Sequence, residues 1–136
     1  SINIYNAIQN LKFFSNSKCI ITLREPIGTY YSIFQNPSFA YAGLTIDKFI
    51  KWYEYVYEKI SNIEINSDKF LIIKFHDFLY KHNQTKKTIL KFLSLHEKYS
   101  SFDIERSIQK NSNIESKLSS SDLHQLKTKL SKFIQR

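Results

Sequence analysis

Lys18-Cys19-Ile20-Ile21-Thr22-Leu23-Arg24-Glu25-Pro26-Ile27-Gly28-Thr29-Tyr30-Tyr31-Ser32 is the stretch on which the reading of this chain turns. Its first six residues form a short, nearly continuous apolar run rich in β-branched side chains, the pattern of a strand covered on both faces in a parallel sheet. The run is too short for a buried helix. Pro26 interrupts it and suits the first turn of a helix, where a missing N–H costs nothing. That helix is expected to extend from Ile27 to about Gln35.

Working outward, Ile4, Ala7, Ile8 and Leu11 recur at helical spacing and place a first helix over residues 2–14, ended by Ser15, Asn16 and Ser17. Residues 36–44 hold a proline, a glycine and several aromatics and read as a loop. Thr45 is an N-cap for a longer helix with Ile46, Phe49, Ile50, Tyr53, Val56, Tyr57 and Ile60 on one face. Phe70 to Phe75 repeats the buried-strand pattern. After His76, Asp77 and a polar turn, helical spacing returns from Thr85 to Leu93. A polar, serine-rich tail follows until Ser121 caps a final helix carrying Leu123, Leu126, Leu130, Phe133 and Ile134.

Two buried-type strands joined by a crossover of more than about 40 residues imply parallel pairing and an α/β fold, a short sheet flanked by helices. Interior strands want neighbours, so the sheet is expected to be incomplete. The chain has 136 residues and no methionine, which suggests a segment of a longer protein. With 42% hydrophobic and 24% charged residues it has material for a core, and too little charge for a disordered chain. Two Gly and two Pro exclude collagen-like and linker-like chains. Apolar runs of four residues or fewer are far short of the roughly 20 that cross a bilayer, so a soluble piece with no membrane segment is expected. One cysteine, Cys19, forbids an intrachain disulfide, and no Cys/His cluster has zinc-ligand spacing.

The formal charge of +8 favours an anionic partner. Most of it is diffuse: 17 Lys stand against 3 Arg, alongside 19 Ile and 10 Asn. Arg24 is different. The strand delivers it at its carboxyl end, where open α/β sheets place ligands, and the following helix aims its amides and dipole at the same crevice. Gly28, Thr29 and Ser32 share a small, hydroxylated helix face. A phosphate held by the Arg24 guanidinium and the Ser32 hydroxyl fits this pattern. The competing description is structural: Arg24 beside a carboxylate, Pro26 starting a helix, and Ser32 in solvent.

Beyond this segment the chain resembles the sulfotransferase superfamily, which uses 3′-phosphoadenosine 5′-phosphosulfate (PAPS). In that family a strand runs into Arg-x-Pro, followed after five residues by Ser; Arg24, Pro26 and Ser32 match. Trp52 lies in the next helical region, Phe75-His76-Asp77-Phe78 stands where members carry Tyr-Glu-Asp-Leu, and Lys91-Phe92-Leu93-Ser94-Leu95 stands where a helix ends in Phe-Leu-Gly. The resemblance covers about residues 18–95. It implies a P-loop-NTPase-like sulfotransferase fold, here incomplete, with PAPS or its product adenosine 3′,5′-bisphosphate (PAP) as nucleotide. Arg24 and Ser32 would bind the 3′-phosphate, and Phe75 would pack near the adenine. It further implies transfer of a sulfuryl group to a hydroxyl or amine of a carbohydrate or small-molecule acceptor.

Departures accompany the match. Phe75 lacks the family's tyrosine hydroxyl, His76 replaces Glu, and Ser94 replaces Gly. No Arg-Lys-Gly motif is visible, Lys117 being a distant candidate, and the glycine-bearing 5′-phosphosulfate loop and the catalytic base are not found in these residues. One partial domain is therefore expected over 1–136, with 1–95 as the cofactor-site half and 96–136 as a helical tail, and this chain alone is expected to be inactive. A cytoplasmic setting is expected, or the Golgi lumen if the full chain carries an N-terminal anchor. A non-catalytic nucleotide-binding module is the alternative; a nucleic-acid-binding domain ranks below both, because nothing organises the scattered lysines. His76 and Asp77 are expected to point opposite ways from a strand end, His82, His96 and His124 to be solvated, Cys19 to be an inert buried thiol, and Trp52, Tyr53 and Tyr57 to be core.

Overall fold

The computed structural model describes residues 14, 16–35, 45–62, 68–96 and 104–134. The helix expected over 2–14, apart from Phe14, and the loop expected over 36–44 lie outside them. The fold is mixed α/β and mostly helical, with two parallel strands among the described residues. Its contacts divide it into two compact units, one of residues 1–23 and 59–105, the other of residues 24–58 and 106–136.

In the first unit, β1 (Cys19–Leu23) pairs in parallel with β2 (Phe70–Lys74), in a register running from Cys19 opposite Phe70 to Leu23 opposite Lys74. The parallel pairing expected from the two apolar runs is present. Their double-sided cover is not seen among the described residues: of the strand residues only Ile73 is buried, and Thr22 and Lys74 are exposed. Apolar, β-branched composition selects the strand conformation without guaranteeing a lid on both faces.

β2 ends one residue earlier than the apolar run. Phe75 opens a short helix, α3 (Phe75–Tyr80), and α4 (His82–Leu93) follows after a single bend residue, so the expected polar turn is helical. Hydrogen bonding accounts for this, since the Thr85 hydroxyl donates to the Asp77 carbonyl at 3.0 Å and Lys81 N–H to the same carbonyl at 2.8 Å. His76 and Asp77 consequently sit on a helix rather than a strand, with Nδ1 3.8 Å from Oδ1. Lys81 lies closer, 3.0 Å from Asp77, and its hydrogen bond is the main cause holding the Asp77 carboxyl below the ordinary range. Burial pushes the half-buried Cys19 thiol up, as expected of an unactivated cysteine.

α4 closes with Ser94 in the left-handed region (φ 57°), where Leu95 N–H donates to the Leu90 carbonyl and Ser94 N–H to that of Lys91. Glycine is the residue this position favours.

The second unit is helical. α1 (Pro26–Phe34) and most of α2 (Ile46–Ser61) join most of α5 (Ile104–Asn111), a 3₁₀ turn (Glu115–Lys117), α6 (Ser120–Lys129) and α7 (Ser131–Ile134). Thr45 caps α2 as expected, its hydroxyl accepting from Lys48 N–H at 3.4 Å, and the face from Ile46 to Ile60 turns inward. The core holds Ile27 and Tyr30 of α1, Phe49, Ile50 and Tyr53 of α2, then Ile114, Leu126 and Leu130. Phe49 packs its ring 5.1 Å from Tyr30 and 5.7 Å from Tyr53.

The final helix differs from expectation at both ends. Ser119, not Ser121, caps α6, its hydroxyl accepting from Asp122 N–H at 3.1 Å, and the helix breaks at Leu130 before α7. Leu126 and Leu130 are nonetheless fully buried. Lys129 with Asp47 and Lys132 with Glu54 form exposed ion pairs at 3.0 and 3.3 Å. Such pairs contribute under about 1 kcal/mol each, so the apolar core decides stability here.

Candidate anion site

Arg24 and Glu25 are the two residues between β1 and α1, and both belong to the helical unit. Pro26 at the first helical position fixes where α1 begins, and Glu25 takes the N-cap with an extended backbone. The Arg24 carbonyl is anchored. It accepts from the buried Tyr53 hydroxyl at 2.8 Å and from the Thr29 hydroxyl at 3.3 Å, while Thr29 also donates to the Glu25 carbonyl at 2.8 Å. Burial is the first cause that pushes the Tyr53 phenol well above its ordinary value, with Tyr57 and Glu25 adding to it, so its hydroxyl stays a donor. Tyr30 is pushed up to about 12 by burial and by Asp122, whose Oδ2 accepts from its hydroxyl at 3.1 Å.

The Arg24 side chain lies back along the start of α1. Its Nη2 donates to Asn111 Oδ1 at the end of α5, and its Nε is 4.0 Å from Glu25 Oε1. Asn111 Nδ2 donates to the Ser107 carbonyl at 2.6 Å, which orients the amide so that its oxygen meets the guanidinium. Burial lowers the Arg24 pKa and Glu25 opposes that shift; the group keeps its charge.

Glu25 bears out the competing structural description, Arg24 beside a carboxylate with Pro26 starting the helix and Ser32 in solvent. Both carboxylate oxygens accept from Gly28 N–H, at 2.9 and 2.8 Å. The amide expected to face an external anion therefore faces one supplied by the chain. Glu25 at the N-cap with Pro at N1 is a signal that capping rules could have read; Asn111, 87 residues from Arg24, leaves none.

Gly28 makes this arrangement possible through room. A Cβ there would stand 2.1 Å from Glu25 Oε1 and 2.6 Å from Arg24 Nε. Both are ends of flexible side chains, so Gly28→Ala is expected to move them rather than break α1. Loss of the cap, about 1 kcal/mol, offsets the gain of about 1 kcal/mol for alanine over glycine in a helix. Thermal unfolding should thus shift little, while the arginine and glutamate side chains leave their places, which a crystal structure of the variant checks.

Of the expected site residues, Ser32 is exposed, one helical turn beyond Gly28 along α1. Thr29 turns its hydroxyl to backbone carbonyls instead. Lys117 lies with Nζ 5.7 Å above the Tyr31 ring, beside Ser32 in sequence, and donates to the Ser112 carbonyl at 3.4 Å. Phe75 is half-buried at the start of α3, in the other unit. Trp52, Tyr53 and Tyr57 serve the aromatic core, as expected. Among the described residues no three His, Cys, Asp or Glu side chains form a metal cluster, and no helix is long and apolar enough to cross a membrane. No protein-family model, curated protein or solved structure matches the chain.

Proposed function

We propose that this chain is the nucleotide 3′-phosphate half of a PAPS-dependent sulfotransferase of P-loop-like fold, acting on a hydroxyl or amine of a carbohydrate or small molecule. One observation carries the reading: a strand runs into Arg-x-Pro and a helix so that a half-buried guanidinium stands over the first turn, against a carboxylate. Glu25 there serves as a stand-in oxyanion, and a phosphate has the same need for charge-assisted donors. The residues fit half of the nucleotide. Arg24 would neutralise and Ser32 would hydrogen-bond the 3′-phosphate. The bound cosubstrate supplies the sulfuryl group, and with two glycines in 136 residues the chain offers no glycine-rich loop for its 5′-phosphosulfate. Phe75 is assigned to the adenine by the family resemblance alone. The glycine count also favours the second reading, a module that binds nucleotide without transferring a group.

Titration calorimetry on the 136-residue chain tests the proposal. Adenosine 3′,5′-bisphosphate is expected to bind and adenosine 5′-monophosphate to bind at least about tenfold more weakly, since a hydrogen bond to a charged group contributes about 1.5–3 kcal/mol. Equal affinity for the two, or no heat with either, overturns the 3′-phosphate assignment.

A further inference from the structure

The same geometry points to Glu25 as an internal competitor for the anion site: an anionic ligand reaches Arg24 and the first turn of α1 only by displacing the chain's own carboxylate. The inference rests on the 3′-phosphate reading above and adds its regulation. Both Glu25 oxygens are already engaged by Gly28 N–H, and the same carboxylate lies 4.0 Å from Arg24 Nε. A ligand phosphate placed there would meet a like charge as well as a taken donor. Glu25 can leave without disturbing the core. Its side chain is half exposed, whereas the Arg24 backbone stays fixed by Tyr53, and the Arg24 side chain stays tied to Asn111. The chain thus holds its cation aligned for an oxyanion while keeping a weak one in place, and ligand binding is coupled to release of the α1 cap.

Glycine labelling makes this directly observable, because the chain has two glycines, Gly28 and Gly43, and hence two amide signals. Adenosine 3′,5′-bisphosphate is titrated into the ¹⁵N-glycine-labelled chain, wild type and Glu25→Gln, with far-UV circular dichroism confirming that both fold alike. Gln keeps an acceptor for Gly28 N–H but removes the charge. The Gly28 signal is expected to move in both, with half-saturation about fivefold lower in the Gln variant, the scale of one partly exposed charge pair. Glu25→Asp keeps the charge and remains a good N-cap; its half-saturation is expected to stay near wild type. Equal half-saturation in wild type and Glu25→Gln overturns the competition while leaving 3′-phosphate binding intact, and so does an Asp variant that gains as much as Gln. No movement of the Gly28 signal in any of the three overturns the binding reading and the competition together.

Discussion

Phe49→Ala is expected to lower the unfolding free energy by about 3–5 kcal/mol, measured by urea titration followed by circular dichroism. Phe49 is fully buried and lies at the meeting of α1 and α2, its ring edge-on to Tyr30 and tilted against Trp52 and Tyr53. Truncation removes apolar surface from a dry site and leaves a cavity among rings that cannot collapse into it without leaving their own contacts. A domain of this size is commonly stable by about 5–15 kcal/mol, so this one change takes a large share. Phe49→Leu, which preserves most of the volume, is expected to cost under half as much. Equal losses for Ala and Leu would mean that ring geometry, not filled volume, holds the site together.

Arg24→Ala is expected to weaken adenosine 3′,5′-bisphosphate binding by about a hundredfold, because it removes the charge and the fork that a phosphate monoester needs. The fold is expected to survive, since the contacts from Tyr53 and Thr29 reach the Arg24 carbonyl, which every residue has. Arg24→Lys separates charge from geometry. A lysine supplies a point charge without the planar fork, so about a tenfold loss is expected. Undiminished binding by Arg24→Ala would show that the ligand sits elsewhere, and the diffuse lysines would become the place to look.

What the sequence made legible follows from local rules. The strand runs, Pro26 at a helix start, the Thr45 cap and the inward face of α2 each depend on residues within a few positions, and each is found where the pattern puts it. Parallel pairing followed from the crossover length alone. What failed was set by competition that composition does not record. Phe75 belongs to the apolar run, yet the backbone turns helical there, with Thr85 and Lys81 both closing on the Asp77 carbonyl. Ser119 and Ser121 are equally good caps by type, and the position of the Asp122 amide chose between them. At the candidate site, the competing description from local sequence, Arg24 beside a carboxylate, Pro26 starting a helix and Ser32 in solvent, is the one the geometry matches, while the bond from Gly28 N–H to that carboxylate follows from capping. The Asn111 contact is a product of the tertiary fold and has no sequence signal.

That contact also says something about the order in which the molecule can be made. Arg24 is held by a residue 87 positions later, and the core beneath α1 is completed by Leu126 and Leu130. Contacts so distant along the chain pay their loop-closure entropy before they return anything, which slows folding. A growing chain that has not yet released Asn111 has the arginine and the helix start but not the tether that aims one at the other. The Arg24 tether is therefore among the last features to form, because it waits for the C-terminal helices to be made and docked.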